Sequence, residues 1–283
     1  MARISVTTSC TPWCELPELI PAIKAAGYDG VELALKPRDY DPAQPPNCWK
    51  NNPAVIDQAE AQDQAAALHE LLVTNELACS CVGSYAMTDD IDQIAIGVEA
   101  ARLLECELLR VRVPWYGGAA TYRQLLDETR AAYRDLNQIS FETGVDSLIE
   151  LHDNSICPSA SAAMRVLEGL DPTQVGVIYD PGNFLREGHE SIPMGIDILG
   201  EFLRHVHVKD TAIGKCETPA KGQGWTGTSV PLGEGDMDWP GIIASLTQHG
   251  YDGWYSIENF TGIERGIERL ATDAAWLRGL FDA

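Results

Sequence analysis

The chain has 283 residues, with 20 Lys and Arg against 42 Asp and Glu, a formal net charge of −22 and an isoelectric point near 4.5. So acidic a surface is repelled by phosphate backbones and anionic lipid headgroups, which argues against nucleic acid and membrane as partners and leaves a small molecule. Apolar residues, at 45%, suffice for a packed core, and nowhere do about 18 apolar residues run without a charge. With no apolar export signal in the first nine residues, a cytoplasmic protein is expected. The eight cysteines form no C-x-x-C pair, which fits reduced thiols better than a zinc ribbon.

Taken in chain order, β-branched runs alternate with segments of helical periodicity. Arg3–Ser9 reads as a strand and Glu15–Ala26 as a helix, followed by strand Tyr28–Leu35, helix Pro53–Asn75, strand Leu77–Gly83 and helix Ile91–Glu105. The second half continues with strand Leu108–Val113, helix Tyr122–Thr143, strand Ser147–His152, helix Ser159–Leu167, strand Val175–Tyr179 and helix Ile196–Glu201. Strand Leu203–Val208, helix Pro240–His249, strand Gly253–Ile257 and helix Ile263–Leu280 complete the pattern. Eight strands in strict alternation with eight helices predict a single (β/α)8 TIM barrel over residues 1–283, with the active site at the C-terminal face of the strands. Two junctions, Ala-Ala-Gly-Tyr-Asp-Gly (25–30) and Gln-His-Gly-Tyr-Asp-Gly (248–253), each place a Gly where a helix stops, as repeated βα units would. Two long connections, Lys36–Asn52 with four Pro and the Gly-rich Thr211–Trp239, follow strands and read as functional loops on that face.

Ionisable groups fall where apolar strands end. Glu150 closes Ser-Leu-Ile-Glu, Asp180 closes Val-Gly-Val-Ile-Tyr-Asp, His207 sits in His-Val-His-Val-Lys-Asp, and Glu258 closes Trp-Tyr-Ser-Ile-Glu. On four consecutive strands of a barrel they converge above one sector of its mouth. Three carboxylates gathered there repel one another without a cation, and with one imidazole they suit Mn2+, Mg2+ or Co2+, with Zn2+ less favoured in the absence of a thiolate.

These residues carry a resemblance. Glu-Leu-His-Asp-Asn (150–154), Asp-Pro-Gly-Asn (180–183), His-Val-His-Val-Lys-Asp (205–210), Pro-Leu-Gly-Glu-Gly-Asp-Met-Asp-Trp (231–239), Gly-Tyr-Asp-Gly-Trp-Tyr-Ser-Ile-Glu (250–258) and Gly-Tyr-Asp-Gly-Val-Glu-Leu (27–33) are similar to the sugar phosphate isomerase/epimerase family of xylose isomerase-like TIM barrels. The resemblance implies that Glu150, Asp180, His207 and Glu258 hold one divalent metal, usually manganese, and that Glu150 and Glu258 exchange protons with opposite faces of a bound ketose. It thus implies an epimerase or isomerase of a keto-sugar or related polyol, working through a metal-bound cis-enediolate; a lyase, hydratase or dehydratase acting on a 3-keto-glycoside or inosose is the alternative. Asn183 stands where the family's ketose epimerases often carry His, and an amide offers hydrogen bonds without charge. A non-enzymatic sugar-binding barrel is less favoured, because the whole ligand set is present. The superfamily's nucleases use additional His, of which this chain has six in all.

Further substrate contacts are expected from His152, two residues past Glu150; from Lys209, on the His207 face; and from Glu32, read as ending the second strand. Arg110 and Arg112 alternate on the fourth strand, and Arg112 is the one expected at the substrate. Trp13 and Trp115, with Trp49, Phe184 and Trp225, fall in post-strand loops where rings can pack on sugar C–H faces. No G-x-x-x-x-G-K loop occurs and Gly233-Glu234-Gly235 is short, so an unphosphorylated sugar is expected. A homodimer or homotetramer is the expected assembly.

Overall fold

The computed structural model describes residues 2–38, 41, 43–187, 190–220 and 223–282. Its elements in chain order are β1 (Arg3–Thr7), α1 (Leu16–Ala25), β2 (Gly30–Lys36), β3 (Ile56–Asp57), α2 (Ala61–Thr74), β4 (Ala78–Ser84), α3 (Ile91–Leu103), β5 (Leu108–Arg110), α4 (Tyr122–Thr143) and β6 (Asp146–Glu150). There follow α5 (Ala160–Leu167), β7 (Val175–Tyr179), α6 (Pro181–Glu187), α7 (Ile192–Leu199), β8 (Leu203–Val208), β9 (Asp210–Ala220), β10 (Gln223–Val230), α8 (Trp239–Gln248), β11 (Trp254–Ile257) and α9 (Glu268–Phe281).

Eight of these strands pair in parallel in the order β1-β11-β8-β7-β6-β5-β4-β2, and β2 pairs back to β1, which closes the barrel. No helix among the described residues is long and apolar enough to cross a membrane. Alternation sets the two faces of each strand. Outward residues such as Val6, Leu33, Ile149, Val177 and Val206 are buried in the main core, which also takes up Leu19, Ile23, Leu68, Ile94, Leu136 and Leu270 from the helices. Inward residues Cys81, Leu108, Leu148 and Ile178 form a separate small plug. Two residues further along the same strands stand Arg110, Glu150 and Asp180, so the plug is the floor on which the ionisable tier rests.

The helix ends follow their local chemistry. The side chains of Asp90, Thr121, Ser159 and Asp238 each accept the backbone N–H of the residue three further on, capping α3, α4, α5 and α8. At the two repeated junctions Gly27 and Gly250 take φ of 94° and 76°, the left-handed turn out of a helix that costs least at glycine.

Three segments differ from the sequence expectation. Residues expected to begin the second helix form β3, where Ile56 pairs with Leu35 in parallel beside the end of β2, and the helix starts only at Ala61. The strand Val175–Tyr179 is followed by two helices, α6 and α7, not one. The connection 211–239, expected as a loop without regular structure, contains the antiparallel hairpin β9–β10, with Trp225 opposite Lys215 and Thr228 opposite Ala212. The half-buried face of β10 sets Trp225, Gly227 and Ser229 against Arg186 of α6, and with Gly and Ser on that face there is no alternation of apolar and polar residues to read.

Candidate active site

Glu150 is the last residue of β6, Asp180 directly follows β7, His207 lies in β8 and Glu258 directly follows β11. The barrel brings the four together, with one donor atom of each within 4.8 Å of the others. His207 Nδ1 lies 3.4 Å from Glu150 Oε1, 3.5 Å from Asp180 Oδ2 and 3.7 Å from Glu258 Oε2. It is buried and makes no hydrogen bond. The other ring nitrogen, Nε2, lies 3.1 Å from Glu32 Oε2. A carboxylate accepting the Nε2 proton directs the remaining ligand nitrogen toward the three carboxylates. A buried, unsatisfied nitrogen aimed at three carboxylate oxygens fits a divalent cation, and the four residues are the ligands that would hold it.

The surroundings set the charge states. Burial alone would raise the Glu150 carboxyl, but Arg110, whose Nη1 is 2.8 Å from Oε2, together with His207 and His152, holds it well below the usual carboxylate range. Burial opposes Asp180 in the same way, and Lys209 and His207 keep it low. For His207 burial would lower the pKa, but Glu32 and Glu258 hold it well above the ordinary histidine range. A metal held here would compete with that proton.

Asp180 serves two neighbours. Its Oδ1 accepts the Asn183 backbone N–H at 2.8 Å and so caps the turn into α6, while Oδ2 accepts the Asn183 side-chain amide at 2.9 Å and the Lys209 ammonium at 2.8 Å. Lys209 also pairs with Glu258 and donates to Asn183 Oδ1 at 3.3 Å. The glycine of Asp-Pro-Gly-Asn has a steric reason: a Cβ on Gly182 would stand 2.3 Å from Lys209 Cγ.

Above the ligands lies a cavity of 480 Å³. Of the residues singled out from sequence, Glu150, His152, Asn183, Lys209, Glu258 and Arg112 line it, as does Trp49. The Trp115 ring is edge-on to His152 at 4.9 Å and flanks Arg112 without lining the cavity. Two residues are elsewhere. Trp13 donates its indole N–H to Ile263 O at 2.8 Å and stacks under Arg269. Glu32 is 1% exposed and lies off the cavity wall, accepting from His205 and His207. The reason is register: β2 runs on to Lys36, so Glu32 is a mid-strand residue, not a strand-end one. The side chain of Phe184 lies outside the described residues. Sequence reading did not single out Tyr85, Arg186, Thr228, Ser229 and Phe260, which also line the cavity. Tyr85 directly follows β4 and Phe260 lies two residues past Glu258, so strand-end aromatics were the available signal. Gly233 and Gly235 give their N–H groups to Asp210 Oδ2 at 2.9 and 3.2 Å. A larger hollow of 760 Å³ lies at the opposite end of the barrel, among residues such as Glu105, Gly200 and Asp252.

The family model of the xylose isomerase-like TIM barrel matches residues 20–280. The chain belongs to that family. Among curated proteins, an inosose dehydratase of Bacillus velezensis is 28% identical over 130 residues, 44% of this chain and 43% of that protein. An L-ribulose-5-phosphate 3-epimerase, UlaE, of Salmonella paratyphi C is 30% identical over 162 residues, 56% of this chain and 53% of that protein. The matches thus span about half the length of these relatives. The crystal structure of 3-keto-D-glucoside 4-epimerase YcjR from E. coli superposes with a TM-score of 0.74, at 16% identity, over 99% of this chain and 100% of that one, a likeness of fold.

Proposed function

We propose that the chain is a divalent-metal-dependent epimerase or isomerase of a keto-sugar or related polyol, with Glu150 and Glu258 as its proton-transfer pair. The observation that carries this reading is that two glutamates from β6 and the end of β11, with different cationic partners, border one cavity and share one candidate metal site. A bound divalent ion supplies Lewis acidity to the oxygens beside the labile C–H, worth several kcal/mol of charge stabilisation. Glu150, kept ionised by Arg110, takes the proton from carbon, and the electron pair moves onto the neighbouring carbonyl oxygen to give an enediolate. Glu258, entering the step in its protonated form, returns that proton from the opposite face, and the Lys209 ammonium stands against the carboxylate that is left. Each positioned carboxylate contributes roughly 10²- to 10⁴-fold. His152 and Asn183 orient hydroxyls, and Trp49 with Phe260, stacked 4.9 Å apart, pack on the sugar's C–H face.

A dehydratase acting on an inosose is the second reading, favoured by the similarity to the Bacillus inosose dehydratase. It begins with the same proton abstraction and ends with loss of hydroxide as water. The test is NMR of a panel of ketoses, inososes and 3-keto-glycosides in deuterated water with the manganese-loaded protein. Deuterium at the carbon beside the carbonyl with both epimers present supports the first reading, an alkene signal with water loss supports the second, and neither in any substrate refutes both.

A further inference from the structure

The charge of the cavity runs against that of the molecule. The chain carries 42 acidic and 20 basic residues, yet the cavity wall holds four cations, Arg110, Arg112, Arg186 and Lys209, against three carboxylates, Glu150, Asp153 and Glu258. A divalent ion adds two further positive charges. Arg110 is committed to Glu150, and Lys209 to Asp180 and Glu258. Asp153 is beside His152, with Oδ1 at 3.3 Å from Nδ1.

Arg112 is different. Its guanidinium packs on two rings, 4.8 Å from the centroid of Trp115 and 5.2 Å from that of Tyr85, and among the described residues it has no carboxylate within ion-pairing distance. Ring packing fixes the guanidinium plane and leaves its N–H edges as the hydrogen-bonding surface, the pre-organised form in which arginine recognises carboxylate and phosphate. Arg186, on α6, is held by the hairpin through a 2.8 Å bond to Ser229 Oγ. Since Arg112 follows β5 and Arg186 follows β7, the two guanidiniums form a positive arc along one side of the mouth, with the His152 ring between them after β6. Trp49 and Phe260 face it from the β2 and β11 sides.

We propose that this arc is an anion subsite, with Arg112 its principal donor, and that the substrate is a keto-sugar or polyol bearing a phosphate or a carboxylate. The inference rests on the sugar isomerase or epimerase reading and narrows its substrate class. Its phosphate-bearing form departs from the unphosphorylated sugar expected from the absence of a phosphate loop. Glycine N–H groups are one way to hold an anion, and those of Gly233 and Gly235 are taken by Asp210, whereas an arginine edge is another.

The test compares three matched ligands on the metal-loaded protein: a free ketose, its terminal phosphate and its terminal carboxylate. Binding is read by calorimetry, whether or not the ligand turns over, for the wild type, Arg112→Gln and Arg112→Lys. The expected result is that at least one anionic member binds roughly tenfold or more tightly than the free sugar at low salt, that Arg112→Gln removes most of that ratio, and that Arg112→Lys keeps part of it. Phosphate preferred over carboxylate, or the reverse, identifies the anion. Equal binding of neutral and anionic members by the wild type, or an anion preference untouched in Arg112→Gln, overturns the proposal. Deuterium uptake by the same ligands is followed in parallel. Its absence in all three counts against the proton-transfer reading, while the binding ratio still decides the subsite.

Discussion

Glu32 was expected at the substrate and is found against His207, a candidate metal ligand, which makes Glu32→Gln an informative perturbation. The carboxylate is 1% exposed, and its Oε2 lies 3.0 Å from His205 Nε2 and 3.1 Å from His207 Nε2, with Oε1 3.3 Å from the latter. Glutamine has the same shape but only one acceptor oxygen. With that oxygen at the Oε2 position both bonds survive, weakened by loss of charge, and the amide NH2 faces the His207 N–H. With the amide reversed, His207 must carry its proton on Nδ1, the atom aimed at Glu150, Asp180 and Glu258. Either way the imidazole is a poorer ligand. Partners of this kind are worth about 10- to 100-fold in metal affinity, or roughly 1.4 to 2.7 kcal/mol. The assay is Mn2+ affinity by competition against a fluorescent chelator, with cooperative thermal unfolding of the metal-free variant as the check on folding. His205→Asn, which removes the partner not in the ligand set, is expected to change the affinity about threefold at most. Affinity in Glu32→Gln within twofold of wild type, in a folded protein, refutes the argument that Glu32 fixes the ligand tautomer.

Other expectations follow from neighbouring contacts. Arg110→Met leaves the buried Glu150 without its cation and should cost about 3 to 5 kcal/mol of stability in the metal-free protein, partly recovered on adding Mn2+, as read by denaturant unfolding. Gly182→Ala should displace Lys209 from Asp180 and Glu258 and lower kcat on the best substrate about tenfold or more, with metal content unchanged within error. Asp146, paired with Arg204 at 2.5 Å, is raised by burial to about 6 from an ordinary 3.8. A carboxyl raised on folding adds stability that is complete below its unfolded pKa and is lost as pH rises through the folded one. The Tm of Asp146→Asn relative to wild type should therefore increase between pH 4 and pH 7, and a constant difference would contradict this.

Much of the barrel was legible because each strand is a short apolar or β-branched run whose outward face enters one core. That these residues meet at one place was legible for a related reason: Glu150, Asp180 and Glu258 interrupt such runs where they end. Depth in the barrel was not legible. Glu32 and Glu258 look alike in sequence, but Glu32 is paired between Thr7 and Cys81 with four strand residues still to come, whereas Glu258 lies past the end of β11. Nor does alternation separate Arg110 from Arg112, since both face inward and only the three-dimensional neighbours, Glu150 for one and two aromatic rings for the other, tell them apart. The hairpin escaped because the half-buried face of β10 is Trp225, Gly227 and Ser229, which makes no apolar period, and with it went Thr228 and Ser229 as cavity residues.

The central claim is that two glutamates work from opposite faces of one bound sugar. The most direct measurement is deuterium uptake from solvent, by NMR, into each of the two epimers separately, with metal-loaded Glu150→Gln and Glu258→Gln. Neither variant is expected to interconvert the epimers, and each is expected to exchange only the epimer whose proton faces the remaining glutamate. Interconversion at the wild-type rate in either variant, or identical exchange of both epimers by both variants, would contradict that claim.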